Sequence, residues 1–108
     1  MTEAEYEAAA VPELKALVQA LDAFDAPEIE AELASDILTI EFADRTRYVV
    51  NSHRAARQIW MAAELTAWHF DWVPELQRWI ASKSGDELWA ALEGALSRRL
   101  KRPVVLRR

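Results

Sequence analysis

The sequence contains no cysteine, two glycines and two histidines. Without cysteine the chain can form neither disulfides nor thiolate ligands, so any metal must bind to oxygen or imidazole ligands. Gly85 and Gly94 cannot build a glycine-rich phosphate loop. His53 and His69 form no recognisable pair with a nucleophile. We therefore expect a protein that is not an enzyme, with a hydrolase based on two carboxylates as the weaker alternative.

Long apolar segments are also missing. No stretch of the 108 residues has the length and composition of a membrane span, and the acidic N-terminus does not resemble a signal or transit peptide. The length fits one domain, which we expect to cover residues 1–108 and to be soluble, cytoplasmic and without membrane contact.

Positive charge is scarce in the first part of the chain. Residues 1–41 carry eleven acids against one base, Lys15, whereas residues 98–108 carry six bases and no acid. Such an acidic segment repels nucleic acid and attracts cations or basic protein surfaces. The simpler alternative is that these acids only keep the surface solvated.

The N-terminal segment has a helical pattern. Thr2 and Glu5 form a capping box, and apolar residues then recur at helical spacing (Leu14, Leu17, Val18 and Leu21). Pro12 is expected to kink this helix or to mark the first turn of its main part. Residues 25–27 are expected to end it.

The pattern then changes to a period of two. Ile29, Ala31 and Leu33 alternate with three glutamates, which predicts a strand with one buried and one solvated face. Further strands are predicted near residues 38–42, 47–51, 57–61, 67–70 and 78–81. The short connections leave no room for helical crossovers, so the sheet should be antiparallel.

A second helix follows. Ser84 and Glu87 predict another capping box, and Pro103 ends the helix after a basic last turn. Residues 104–106 are expected to cover the end of the molecule. The order of elements predicts an α+β fold, a two-layer sandwich with both helices on one face of an antiparallel sheet of about six strands.

Two groups of residues could bind ligands or partners. Alternate strand residues lie roughly 6.5–7 Å apart on one face, so the acids of residues 22–32 cannot form a tight cage but could hold hard cations weakly through one or two carboxylates and water. Gln58 and Trp60 belong to the sheet face that no helix covers, where an exposed aromatic suggests a partner surface. The alternative is that Trp60 is packed.

The run from Asn51 to residues 58–62 (Gln-Ile-Trp-Met-Ala) resembles the signature of the frataxin family. Residues 69–71 (His-Phe-Asp) and 84–88 resemble later elements of that family, and the similarity extends in order over nearly the whole chain. The length places the sequence nearest the bacterial members.

The resemblance implies the frataxin fold, weak binding of iron (Fe²⁺ or Fe³⁺), and contacts with cysteine desulfurase and the scaffold protein of iron–sulfur cluster assembly. It implies that an acidic edge binds iron and faces the desulfurase, with the residues Asp22, Asp25, Glu28, Glu30 and Glu32. It also implies a sheet-face platform that meets the assembly complex, with the residues Asn51, Gln58, Trp60 and His69. The expected state is a monomer, with iron-dependent oligomers as a second possibility.

Some positions depart from the family pattern. Just before Asp22, where many relatives have acids, this chain has Val18, Gln19 and Ala20, so the iron capacity should be lower. Three alternatives stay open: an iron-independent interaction module, a nucleic-acid binder using the sheet aromatics and residues 98–108, and an iron-oxidising enzyme.

Overall fold

The computed structural model describes residues 1–24 and 26–108. Helix α1 (Glu3–Phe24) precedes six strands and helix α2, with the bounds β1 (Ile29–Ala34), β2 (Ile37–Phe42), β3 (Arg47–His53), β4 (Gln58–Ala63), β5 (Thr66–Val73), β6 (Arg78–Ala81) and α2 (Leu88–Leu100). The strands form one antiparallel sheet in the order of the sequence. The predicted α+β sandwich is confirmed.

Alternation along the strands separates the two faces of the sheet. In β2, Leu38, Ile40 and Phe42 are buried in the core with both helices, whereas the residues between them face away from it. The pairing registers then align Ile37, Asn51, Trp60 and His69 in one row across the uncovered face. This row contains three of the four predicted platform residues.

Helix α1 starts as predicted. The Glu5 side chain accepts a hydrogen bond from the backbone N–H of Thr2 (2.7 Å), and the Thr2 hydroxyl accepts one from Glu5 (3.1 Å). The helix continues through Pro12 as one element, so Pro12 does not mark its first turn. Pro12 and Ala8 are both exposed, and water can therefore satisfy the carbonyl group that loses its helical donor.

The predicted capping box of α2 is wrong. Glu87 itself is the N-cap, and its carboxylate accepts hydrogen bonds from the backbone N–H groups of Trp89 (2.9 Å) and Ala90 (3.1 Å). Glu87 forms a β-bridge with Ile80, and the carbonyl of Asp86 accepts a hydrogen bond from Ala81 (2.8 Å). These contacts with β6 hold the preceding residues in an extended conformation, so the helix begins only at residue 88.

The C-terminal tail packs against the helices. Val104 and Leu106 are only 4% and 7% exposed and belong to the core. Beyond them, the guanidinium of Arg108 lies 2.8 Å from the carboxylate of Glu13 and 4.5 Å from the ring centre of Trp89. The prediction that the tail covers this end of the molecule is confirmed.

Candidate functional site

The acidic edge is distributed over three elements. Asp22 is exposed in the last turn of α1, and Glu30 and Glu32 point outward from β1. Glu28 was expected on the same strand face but lies in the turn before β1, because the strand begins only at Ile29. Asp25, the fifth predicted ligand, lies outside the described residues.

Glu28 is already paired within the chain. Its Oε1 lies 2.7 Å from Nη2 of Arg102, which follows α2 and also lies over the ring of Phe24 at 5.3 Å. Hydrogen bonds from its own backbone N–H and from Arg102 lower the pKa of the Glu28 carboxyl group. The carboxylate is therefore charged, but an internal cation competes for it.

Glu30 and Glu32 are less restrained. Glu30 lies directly opposite Glu41 across the β1–β2 ladder, which places two like charges on one cross-strand pair. A groove of about 750 Å³ brings Asp22 together with Glu30, Glu32 and Glu41 along this edge. Within residues 1–24 and 26–108, no three acidic or histidine side chains are close enough to hold a metal ion as a preformed cage.

The sheet-face platform is a compact stack of rings. Trp60 is half-buried and stands between His53 and His69, with ring centres 3.8 Å and 4.2 Å away and planes inclined by only 13° and 17°. These three residues come from β3, β4 and β5, and we refer to them as the ring ladder. Asn51 lies directly opposite Trp60 on β3, and its side-chain amide donates a hydrogen bond to the carbonyl of Ser52 (3.0 Å).

Gln58 continues the platform along β4. The indole Nε1–H of Trp60 donates to Oε1 of Gln58 (2.8 Å), and Nε2 of Gln58 donates to Oδ1 of Asp71 (3.0 Å). The structure therefore brings together all four predicted platform residues, and Trp60 is neither freely exposed nor packed in the core.

Two members of this arrangement were missed in the sequence, His53 and Asp71. His53 shares the strand face of Asn51, and Asp71 shares that of His69, so the alternation of side chains could have placed both on the open face. What the alternation could not show is the ring contact of His53. Its Nδ1 accepts a hydrogen bond from the backbone N–H of Ala56 (3.3 Å) and caps a 3₁₀ turn, Arg54–Ala56, whose length sets the register of β4.

Comparison with known proteins identifies the family. The family model for the frataxin-like domain matches residues 1–102. The chain belongs to the frataxin-like family. Frataxin-like relatives include proteins named iron-sulfur cluster assembly protein CyaY. That of Paraburkholderia phytofirmans is 36% identical over 104 residues, covering 96% of both chains. That of Dechloromonas aromatica is 36% identical over 108 residues, covering 99% of this chain and all of the relative.

Solved frataxin structures share the fold. The frataxin of Psychromonas ingrahamii superposes with a TM-score of 0.88 over the whole of both chains at 23% identity. Trimeric frataxin from the yeast Saccharomyces cerevisiae, complexed with ferrous iron, gives 0.74 over 87% of both chains, also at 23% identity. The resemblance seen in the sequence is thus confirmed. In the described part of the chain, neither helix has the length and apolar composition needed to span a membrane.

Proposed function

We propose that this frataxin-like protein acts in iron–sulfur cluster assembly, without an enzymatic step, as a weak iron binder that contacts cysteine desulfurase and the scaffold protein in the cytoplasm. The observation that carries the proposal is the uncovered sheet face, where a stacked tryptophan platform lies on the same face as Glu30 and Glu32 of the acidic edge. The names of the relatives support the same process.

The platform is the surface proposed to meet the assembly complex. Its residues, Asn51, Gln58, Trp60 and His69, lie on one face that neither helix covers. A half-buried tryptophan among polar groups is typical of the residues that contribute most to protein–protein binding.

The acidic edge is the surface proposed to attract iron and basic parts of the desulfurase. Asp22, Glu30 and Glu32 line the groove beside β1. The family resemblance adds Asp25, which lies outside the described residues, to the acids proposed to bind iron. Because the carboxylates of residues 1–24 and 26–108 form no cage, Fe²⁺ would keep most of its water and bind through one or two of them. Glu28 could take part only if Arg102 released it.

An iron-independent interaction module is the second candidate. It is favoured by the internal pairing of Glu28 and by the absence of acids at residues 18–20 of α1. In this case the acidic edge would contact only basic protein surfaces, and the platform would still meet the assembly complex. The protein would be a monomer in either case, and only the iron binder could form oligomers when iron is added.

An anaerobic Fe²⁺ titration of ¹⁵N-labelled protein separates the two candidates. We expect selective broadening of amide signals at residues 22–32 and at Glu41, because bound paramagnetic Fe²⁺ relaxes only nearby nuclei. Zn²⁺ serves as the diamagnetic control for changes in structure. Uniform broadening, or none, would remove iron from the mechanism and leave the interaction module.

A further inference from the structure

The two hydrogen-bonding partners of Gln58 allow only one orientation of its side-chain amide. An indole N–H can only donate a hydrogen bond, and an ionised carboxylate can only accept one. The Gln58 amide joins the two, with Oε1 toward Trp60 (2.8 Å) and Nε2 toward Asp71 (3.0 Å). The carboxylate of Asp71 therefore determines which way the amide of Gln58 points.

The ring ladder and this hydrogen-bonded relay restrain different motions of the indole. The imidazoles of His53 and His69 cover its two faces and oppose tilting. Stacking on both faces fixes the plane of the indole but not which of its edges points toward Gln58, because a turn of about 180° around χ2 leaves the ring in the same plane. The hydrogen bond to Gln58 fixes the indole in that plane, and Gln58 is held in turn by Asp71 directly opposite it on β5.

We propose that Asp71 is a positioning residue for the sheet-face platform: acting through Gln58, it fixes the Trp60 indole in one orientation before a partner binds. This inference rests on the proposed function, because the platform is the surface assigned to the assembly complex. An indole that is ordered in the free protein does not have to lose that freedom on association, so the relay strengthens binding without touching the partner.

Three variants test the relay. D71A removes the acceptor. Q58E places a second carboxylate opposite Asp71, so that the donor is lost and two like charges face each other. Q58E/D71N restores the relay with donor and acceptor exchanged in the hydrogen bond between β4 and β5. In this double variant the new amide on β5 can donate to the new carboxylate on β4, which still accepts from Trp60. Its shape is nearly that of the parent.

The first measurement needs no partner. In a ¹⁵N spectrum, the Nε1–H signal of Trp60 should move upfield and exchange faster with solvent in D71A, because nothing then orients Gln58. It should do the same in Q58E, because repulsion from Asp71 turns the new carboxylate away from the indole. Both effects should be reversed in Q58E/D71N, where that repulsion is gone. D86A is the matched control, because Asp86 accepts a comparable hydrogen bond from the indole of Trp68 (3.0 Å) away from the platform. D86A should shift the Trp68 signal and leave that of Trp60 in place.

The second measurement is binding to purified cysteine desulfurase with its scaffold protein. D71A and Q58E should weaken binding about fivefold to tenfold, as expected when one more side chain has to be ordered on association. Q58E/D71N should recover most of that loss, and D86A should bind as the parent does. W60A tests the platform itself.

The outcomes distinguish the two proposals. If W60A weakens binding but D71A and Q58E do not, the positioning role of Asp71 is wrong and the proposed function stands. If W60A binds as the parent does, the platform is not the docking surface, and both the interface and this role of Asp71 are overturned. Loss of binding in Q58E that D71N does not rescue would also contradict the relay, since a general disturbance of β4 would then explain it.

Discussion

Several carboxylates accept hydrogen bonds that fix the local backbone. Glu5 and Glu87 cap the two helices, and Asp44 closes the turn between β2 and β3 by accepting from the backbone N–H of Thr46 (3.0 Å). From the sequence, Glu5 was assigned its capping role correctly, Glu87 was assigned to a capping box with Ser84 instead, and Asp44 was assigned no hydrogen bond. A count of acids therefore does not reveal which of them are available to a cation, because capping and turn contacts depend on where each element begins.

Asp44 gives the clearest dependence of stability on pH. Hydrogen bonds from the side chain and backbone of Thr46, followed by the guanidinium of Arg99, lower the pKa of the Asp44 carboxyl group to about 2. In the unfolded chain the pKa is about 4. Asp44 therefore stabilises the fold fully above about pH 4, and this contribution is lost as the pH falls toward 2.

The D44N variant tests this. The free energy of unfolding, measured by urea denaturation, should be lower for D44N than for the parent at pH 6. The difference should shrink below pH 4 and vanish only below pH 2. A difference that is constant across this range would show that the charge of Asp44 does not stabilise the turn.

At the scale of elements, the alternation of apolar and polar residues predicted the strands, and the capping box predicted the start of α1. The predicted strand near residues 38–42 corresponds to β2, Ile37–Phe42, because buried and outward residues alternate without interruption. The start of α2 could not be read in the same way. It is determined by the bridge between Glu87 and Ile80, a tertiary contact that no capping pattern describes.

The pairing of Arg102 with Glu28 links the end of α2 to the acidic edge. In R102Q we expect the affinity of the edge for Fe²⁺ to rise about twofold to fivefold at low salt, because the competing cation is gone and Glu28 becomes available. The measurement is the Fe²⁺ concentration that broadens amides 28–32 by half. The cost in stability should be small, as for other exposed ion pairs.

R98Q provides the control for bulk charge. Arg98 lies on α2, four residues before Arg102, and likewise pairs with a glutamate: its Nη2 lies 2.6 Å from Oε1 of Glu64. Glu64 is in the β4–β5 turn, outside the acidic edge. Both variants lose one positive charge. If R98Q raised the affinity for Fe²⁺ as much as R102Q does, net charge would explain the effect. If R102Q did not raise this affinity, Glu28 would take no part in iron binding.

For the whole molecule, the tail completes the core between the helices. A chain truncated after Lys101 loses the buried side chains of Val104 and Leu106 together with the contact of Arg108 with Glu13. Burying two aliphatic side chains contributes roughly 3–5 kcal/mol. The truncated chain should therefore unfold at a markedly lower temperature in calorimetry.

Two point variants separate packing from length. L106A should lower the free energy of unfolding by about 2–3 kcal/mol, in line with other buried leucines. V105A should change it by less than about 0.5 kcal/mol, because Val105 is 57% exposed. Equal effects of the two substitutions, or unchanged melting of the truncated chain, would contradict a packed tail.

The candidate site was predictable to the extent that strand alternation describes it. Alternation and the family resemblance gave Asn51, Gln58, Trp60 and His69. The stacking of His53 on Trp60 depends on the register between β3 and β4, which the 3₁₀ turn sets. Glu28 lies outside the strand because β1 begins only at Ile29. Its pairing with Arg102 depends on how the residues after α2 pack beside β1. The sequence pattern shows neither.

The sheet order has a consequence for how the chain folds. Every strand pairs with its immediate neighbour in sequence, so each pairing closes only a short loop, and the hairpins can form one after another as the chain is synthesised. The helix layer is different. Glu13 meets Arg108 and Trp89, which are among the last parts of the chain to be made. On the ribosome the sheet can therefore form early together with α1, while the part of its apolar face that α2 and the tail cover stays exposed until the final residues emerge.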